Sequence, residues 1–103
     1  MKVAITSTGK NVESLMDPRF GRCAYFAIYD RETKEVNFIE NPNKEASGGA
    51  GPAALNLIAA QGVKQVVAPS FGRKVKPLME ELGLQMIIQD EGKTIQEIIN
   101  LMK

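Results

Sequence analysis

Two arginines, Arg19 and Arg22, flank Phe20-Gly21, and the only cysteine of the chain, Cys23, follows at once. A planar guanidinium with five donors suits carboxylate or phosphate anions, and a glycine between two of them permits a tight turn. A second group of the same character is Ser47-Gly48-Gly49-Ala50-Gly51-Pro52, and a third is Ser70-Phe71-Gly72-Arg73-Lys74. Glycines before a helix let backbone N–H groups approach an anion, where the helix dipole adds roughly 0.3 to 1 kcal/mol for a unit charge. The candidate anion-binding residues are therefore Arg19, Gly21, Arg22, Ser47, Gly48, Gly49, Gly51, Ser70, Gly72 and Arg73. Lys74 and Lys76 could add charge at the same place, with Lys10 and Lys44 behind them. The plainer reading of the glycines is a permissive helix entry, and that of the cations is solvated surface charge. Cys23 reads either as a thiolate ligand, with Met16 and Asp17 near in sequence, or as a small buried hydrophobe at the start of a strand.

Several chemistries are absent. The chain has no histidine, which removes the commonest general acid/base and the commonest metal-binding side chain. A lone cysteine cannot complete a four-ligand cluster site or form an intramolecular disulfide. Gly49-Ala50-Gly51-Pro52-Ala53-Ala54 formally matches a dinucleotide fingerprint, but it follows a long loop and lacks an acidic ribose partner at the expected distance; no Walker lysine is present either. Metal-dependent nucleases place a carboxylate on the first strand, whereas Lys2-Val3-Ala4-Ile5-Thr6-Ser7 has none, and Asp17, Asp30 and Asp90 are scattered. A binding protein is expected, not an enzyme.

The elements that must hold these residues are legible from periodicity. Residues 2–7, 25–30, 35–40, 65–68 and 85–89 read as strands, the second and third joined as a hairpin by Arg31-Glu32-Thr33-Lys34. A helix is expected around Pro52, running to Gln61 and stopped by Gly62. Val75, Leu78, Met79 and Leu82 form the apolar stripe of a second helix ended by Gly83, and Ile95, Ile98, Ile99 and Met102 that of a third. Thr94 and Glu97 have capping-box spacing. The order β-β-β-α-β-α-β-α predicts a mixed five-stranded sheet with helices on its faces. If the second strand runs antiparallel to the first and third, the loops 8–22, 47–51 and 69–74 meet at one sheet edge, the usual ligand edge of open α/β sheets.

With 103 residues a single domain, 1–103, is expected. Thirteen basic against twelve acidic residues leave a net charge of +1, too little to steer a nucleic acid. The single cysteine and the lack of a long apolar span fit a cytoplasmic protein with no membrane partner.

The chain resembles the dinitrogenase iron-molybdenum cofactor biosynthesis family, the small domains similar to NifX and to the C-terminal part of NifB. The resemblance rests on Asp17-Pro18-Arg19-Phe20-Gly21-Arg22-Cys23-Ala24-Tyr25-Phe26, on Glu40-Asn41-Pro42, on Gly49-Ala50-Gly51, and on the entries Gly62-Val63 and Leu82-Gly83-Leu84. It implies a ribonuclease-H-like, three-layer α/β fold with sheet order 3-2-1-4-5. It also implies a non-catalytic role: transient binding or carriage of an iron-sulfur or iron-molybdenum cluster, in exchange with cluster assembly or client proteins, as monomer or homodimer. The loop histidine common in that family is missing here, where the chain reads Ala46-Ser47-Gly48-Gly49, which leaves Cys23 as a metal ligand and electrostatic cradling by the loops. The alternative is a regulatory or interaction module that takes a phosphate-bearing metabolite or a protein partner at the same edge.

Overall fold

The computed structural model describes residues 1–45 and 48–102. Its strands are β1 (Lys2–Ser7), β2 (Tyr25–Asp30), β3 (Val36–Glu40), β4 (Val63–Ala68) and β5 (Gln85–Ile88); its helices are α1 (Ala50–Ala59), α2 (Val75–Leu82) and α3 (Ile95–Leu101). The sheet order is β3-β2-β1-β4-β5. β2 is antiparallel to β1 and to β3, while β1, β4 and β5 are parallel. This is the mixed topology that the element order and the family resemblance imply.

β1 is central because its residues can be buried on both faces: from Val3 to Ser7 every one is buried. Alternation then divides the core in two. Ala4, Phe26, Ile28 and Val66 face α1 and α2, where Ala54, Leu55, Ile58, Val75 and Met79 complete one layer. Val3, Ile5, Ala27, Tyr29 and Val67 face α3 and meet Ile95, Ile98 and Ile99. Two helices thus cover one face of the sheet and a single seven-residue helix covers the other.

Boundaries differ from expectation at a few points, each for a local reason. α1 begins at Ala50, from the left-handed N-cap Gly49 (φ 70°), so Pro52 is its third residue and still lies in the first turn, where its missing N–H costs nothing. α1 ends at Ala59, two residues short of the expected limit, and Gly62 (φ 80°) makes the reversal into β4. β4 starts at Val63, because the chain pairs Val63 with Lys2 straight after that turn, with an irregularity before Val3. α2 stops as its sequence predicts: Gly83 is left-handed, and the Gly83 and Leu84 amides donate to the Glu80 and Met79 carbonyls.

Candidate functional site: a cationic cleft at the sheet edge

Parallel pairing puts the C-terminal ends of β1 and β4 on one edge, and the antiparallel β2 begins there, with Tyr25 opposite both Ser7 and Glu40. The loop after β1 and those leading into α1 and α2 consequently converge. Between them lies a cleft of about 520 Å³. One wall is Arg19, Phe20 and Arg22; another is the start of α1 from Gly49 to Pro52; the third is the start of α2, with Gly72, Arg73, Lys74 and Val75.

Close backbone approach holds these walls together. Gly21 has φ 92°, and a Cβ there would sit 3.0 Å from the Gly51 Cα and 3.1 Å from its nitrogen. A Cβ on Gly51 would in turn meet Val75 Cγ1 at 2.6 Å. Gly21 and Gly51 are thus packing glycines, through which the arginine turn, α1 and α2 touch in sequence. Phe20 reinforces the joint, its ring centroid 5.3 Å from that of Phe71 and 6.0 Å from that of Phe26. By contrast, a Cβ on Gly48, Gly49 or Gly72 would meet nothing within 4 Å.

The electrostatics of the cleft are one-sided. Among the described residues, four cations, Arg19, Arg22, Arg73 and Lys74, line it, and no carboxylate does. Neither α1 nor α2 has a side-chain cap or an acidic residue in its first turn, so both present the positive end of their dipoles unopposed. One cation is tempered from behind. Asp17, buried, accepts from the Arg19 backbone N–H at 2.9 Å, from its Nε at 3.2 Å and from its Nη2 at 3.3 Å. That hydrogen bonding and the carboxylate charge raise the Arg19 pKa above its ordinary value. The pairing orients Arg19, whose side chain remains 66% exposed. Arg22 reaches across to the Lys44 carbonyl, Nη1 to O at 3.5 Å.

Of the sequence-predicted residues, Arg19, Arg22, Gly49, Gly51, Gly72 and Arg73 come together around the cleft, and Gly21 lies buried beneath its wall. Gly48 and Ser70 are exposed and do not line it. Ser47 lies outside the described residues. Cys23 lies apart from the cleft residues. It is fully buried in the layer beneath α1 and α2, among residues such as Ala4, Phe26 and Ala54, and does not reach the cleft. Burial, and then the nearby Asp17 charge, push its thiol up to about 12, so it is protonated at neutral pH. Its placement is that of the small buried hydrophobe at the start of a strand. Among the described residues no group of three or more His, Cys, Asp or Glu side chains could hold a metal ion, and no helix is long and apolar enough to cross a membrane.

Asn41 does not line the cleft, yet it braces the arginine turn that does. Fully buried, it donates through Nδ2 to the Gly21 carbonyl at 2.9 Å and to the Cys23 carbonyl at 3.0 Å, while its Oδ1 accepts from the Asn43 amide at 3.0 Å. A side chain that replaces strand pairing for two turn carbonyls fixes the arginine turn to the end of β3. The Asn41-Pro42 pair signals a turn, but nothing local says which distant carbonyls the amide will satisfy.

Comparison with known proteins agrees with this frame. Residues 1–103 match a family model described as dinitrogenase iron-molybdenum cofactor. An uncharacterised protein of Methanocaldococcus jannaschii is 30% identical over 89 residues, covering 84% of this chain and 75% of that protein. Among solved structures, the apo form of the orange protein from Desulfovibrio gigas superposes with a TM-score of 0.92 at 27% identity, covering 98% of this chain and 85% of that one. A Thermotoga protein described as a NifB candidate, solved by NMR, superposes with a TM-score of 0.84 at 34% identity over 98% of this chain and 85% of its own.

Proposed function

This chain belongs to the dinitrogenase iron-molybdenum cofactor family, and from that premise we propose that it is a non-catalytic accessory protein that binds and carries an anionic iron-sulfur or iron-molybdenum cofactor precursor. The cleft supports this reading: four cations and two helix starts without side-chain caps surround a space that no carboxylate of the described residues lines. Such a precursor carries negative charge on bridging and terminal sulfides. Guanidinium groups and amide N–H groups can stabilise that charge without replacing the metal's own ligands, which suits a cargo that must be released to a client. Cys23 has no ligand role in this scheme, because its sulfur lies behind the turn.

The test is anaerobic titration of purified protein with a preformed anionic iron-sulfur cluster, followed by gel filtration. Wild type and Cys23→Ala should retain the cluster absorbance, whereas Arg22→Ala and Arg73→Ala should lose most of it. Equal retention by all four proteins, or none by wild type, would overturn the proposal. The same two helix starts also favour a second reading, a phosphate-bearing metabolite. That reading predicts a rise in unfolding temperature with millimolar phosphate compounds and none with clusters.

A further inference from the structure

We propose that the groove between the β2–β3 hairpin and α3, on the opposite side of the sheet from α1 and α2, binds a small carboxylate with an apolar tail. The groove has a simple origin. Strands about 4.8 Å apart make a five-stranded sheet roughly 20 Å wide, and one helix about 10 Å across leaves sheet uncovered on both sides of it. On the β2–β3 side the uncovered space is about 340 Å³, lined by Tyr29, Lys34, Val36, Gln96 and Ile99. That falls within the range of small-molecule pockets and holds roughly ten heavy atoms at about 30 Å³ each.

Two features distinguish it from a passive gap. Tyr29 is 1% exposed, and its hydroxyl is buried without a hydrogen-bond partner among the described residues. A buried hydroxyl left unpaired destabilises a fold, whereas phenylalanine would fill the same space without that cost. Lys34 closes the hairpin with a left-handed backbone (φ 68°), the only non-glycine residue with positive φ among those described. Its amide donates to the Asp30 carbonyl at 2.8 Å, and its ammonium has no partner among the described residues.

The lining chemistry selects the ligand. Among the described residues lining the groove, Lys34 supplies the only charge, Tyr29 can donate a hydrogen bond, and none is a carboxylate. Gln96 already donates its Nε2 to Asn100 Oδ1 at 3.0 Å. An exposed cation and a buried, unpaired donor thus border the groove, which a carboxylate complements, while Val36 and Ile99 offer an apolar wall for a short tail.

Titration of 15N-labelled protein with hexanoate, hexanol and hexylammonium tests the assignment. Hexanoate should shift the amide resonances of Val36, Gln96 and Ile99 saturably. Hexanol should bind more weakly by on the order of fivefold, the worth of one net hydrogen bond, and hexylammonium should leave the resonances unmoved. Tyr29→Phe and Lys34→Gly should each weaken hexanoate by a similar factor. Both should stay folded, since phenylalanine keeps the ring and glycine accepts the left-handed backbone; the unfolding midpoint of Tyr29→Phe should be unchanged or higher. Lys74→Glu, a cleft variant, should leave hexanoate binding unaltered, which separates this groove from the anion cleft. Absence of saturable shifts, equal binding of hexanol, unchanged affinity in either groove variant, or loss of binding in Lys74→Glu would overturn the proposal.

Discussion

The starts of α1 and α2 differ from the start of α3, although all three follow the same edge of one sheet. At α3 every early donor has a partner within the chain. The Ile95 and Gln96 amides donate to the Ser14 and Val12 carbonyls at 2.9 Å each, and the Glu97 amide donates to Thr94 Oγ1 at 3.1 Å. The Thr94 amide donates back to the Glu97 carboxylate at 2.9 Å. α1 and α2 have no side-chain cap and no acid, and among the described residues only the Val75 amide, which donates to the Gly72 carbonyl at 3.2 Å, has a loop partner of this kind. The same secondary structure is therefore closed where it serves the fold and open where cations gather around a cleft. An unsatisfied helix start is tolerable at the surface, because water or a ligand can occupy it.

The comparison can be broken most severely at Gly21, which holds the open side together. Gly21→Ala would force a Cβ against the Gly51 backbone at positive φ, and should lower stability in urea by about 2 to 3 kcal/mol. Anion binding should fall with it. Lys74→Glu, which puts an acid at the α2 start, tests openness itself. It should weaken anion binding by on the order of tenfold, through charge reversal beside the dipole, and leave the unfolding midpoint unchanged or raised. Thr94→Ala removes the cap on the closed side; it should cost about 1 kcal/mol in urea and leave ligand affinity unchanged.

Glu97→Gln should have the smallest effect, and it is visible through pH. Hydrogen bonds from Thr94 hold the Glu97 carboxyl below its ordinary value of 4.5. A folded-state pKa below the unfolded one contributes stability above the unfolded value and loses it as pH falls through the folded value. Wild type should therefore lose a small increment of stability on acidification below about pH 4.5 that the glutamine variant does not lose. Matching acid limbs in the two proteins would remove the carboxylate from the account of α3.

Local pattern carried the closed side almost completely. Thr94 and Glu97 stand three apart, and Ile95, Ile98 and Ile99 lie on one helical face; both are rules that act within a turn or two. On the open side the same kind of reading placed Arg19, Arg22, Gly49, Gly51, Gly72 and Arg73 around one cleft, but it did not decide what lay behind them. Asp17 read as a nearby helper for Cys23, yet it folds back onto Arg19. Cys23 adjoins an arginine in sequence, and the side chain turns inward at the entrance to β2.

Sequence by itself determined the order and type of the elements, the turns at Gly62 and Gly83, the cap of α3 and the cationic character of the loops, because each depends on neighbours within a few residues. Tertiary structure alone decided that Gly21 rests on Gly51, that Asn41 holds the carbonyls of Gly21 and Cys23, that the only thiol is sealed in the core, and that one helix leaves Tyr29 beside an uncovered groove. Those facts concern groups distant in the chain, and their partners are set by which faces the sheet brings together.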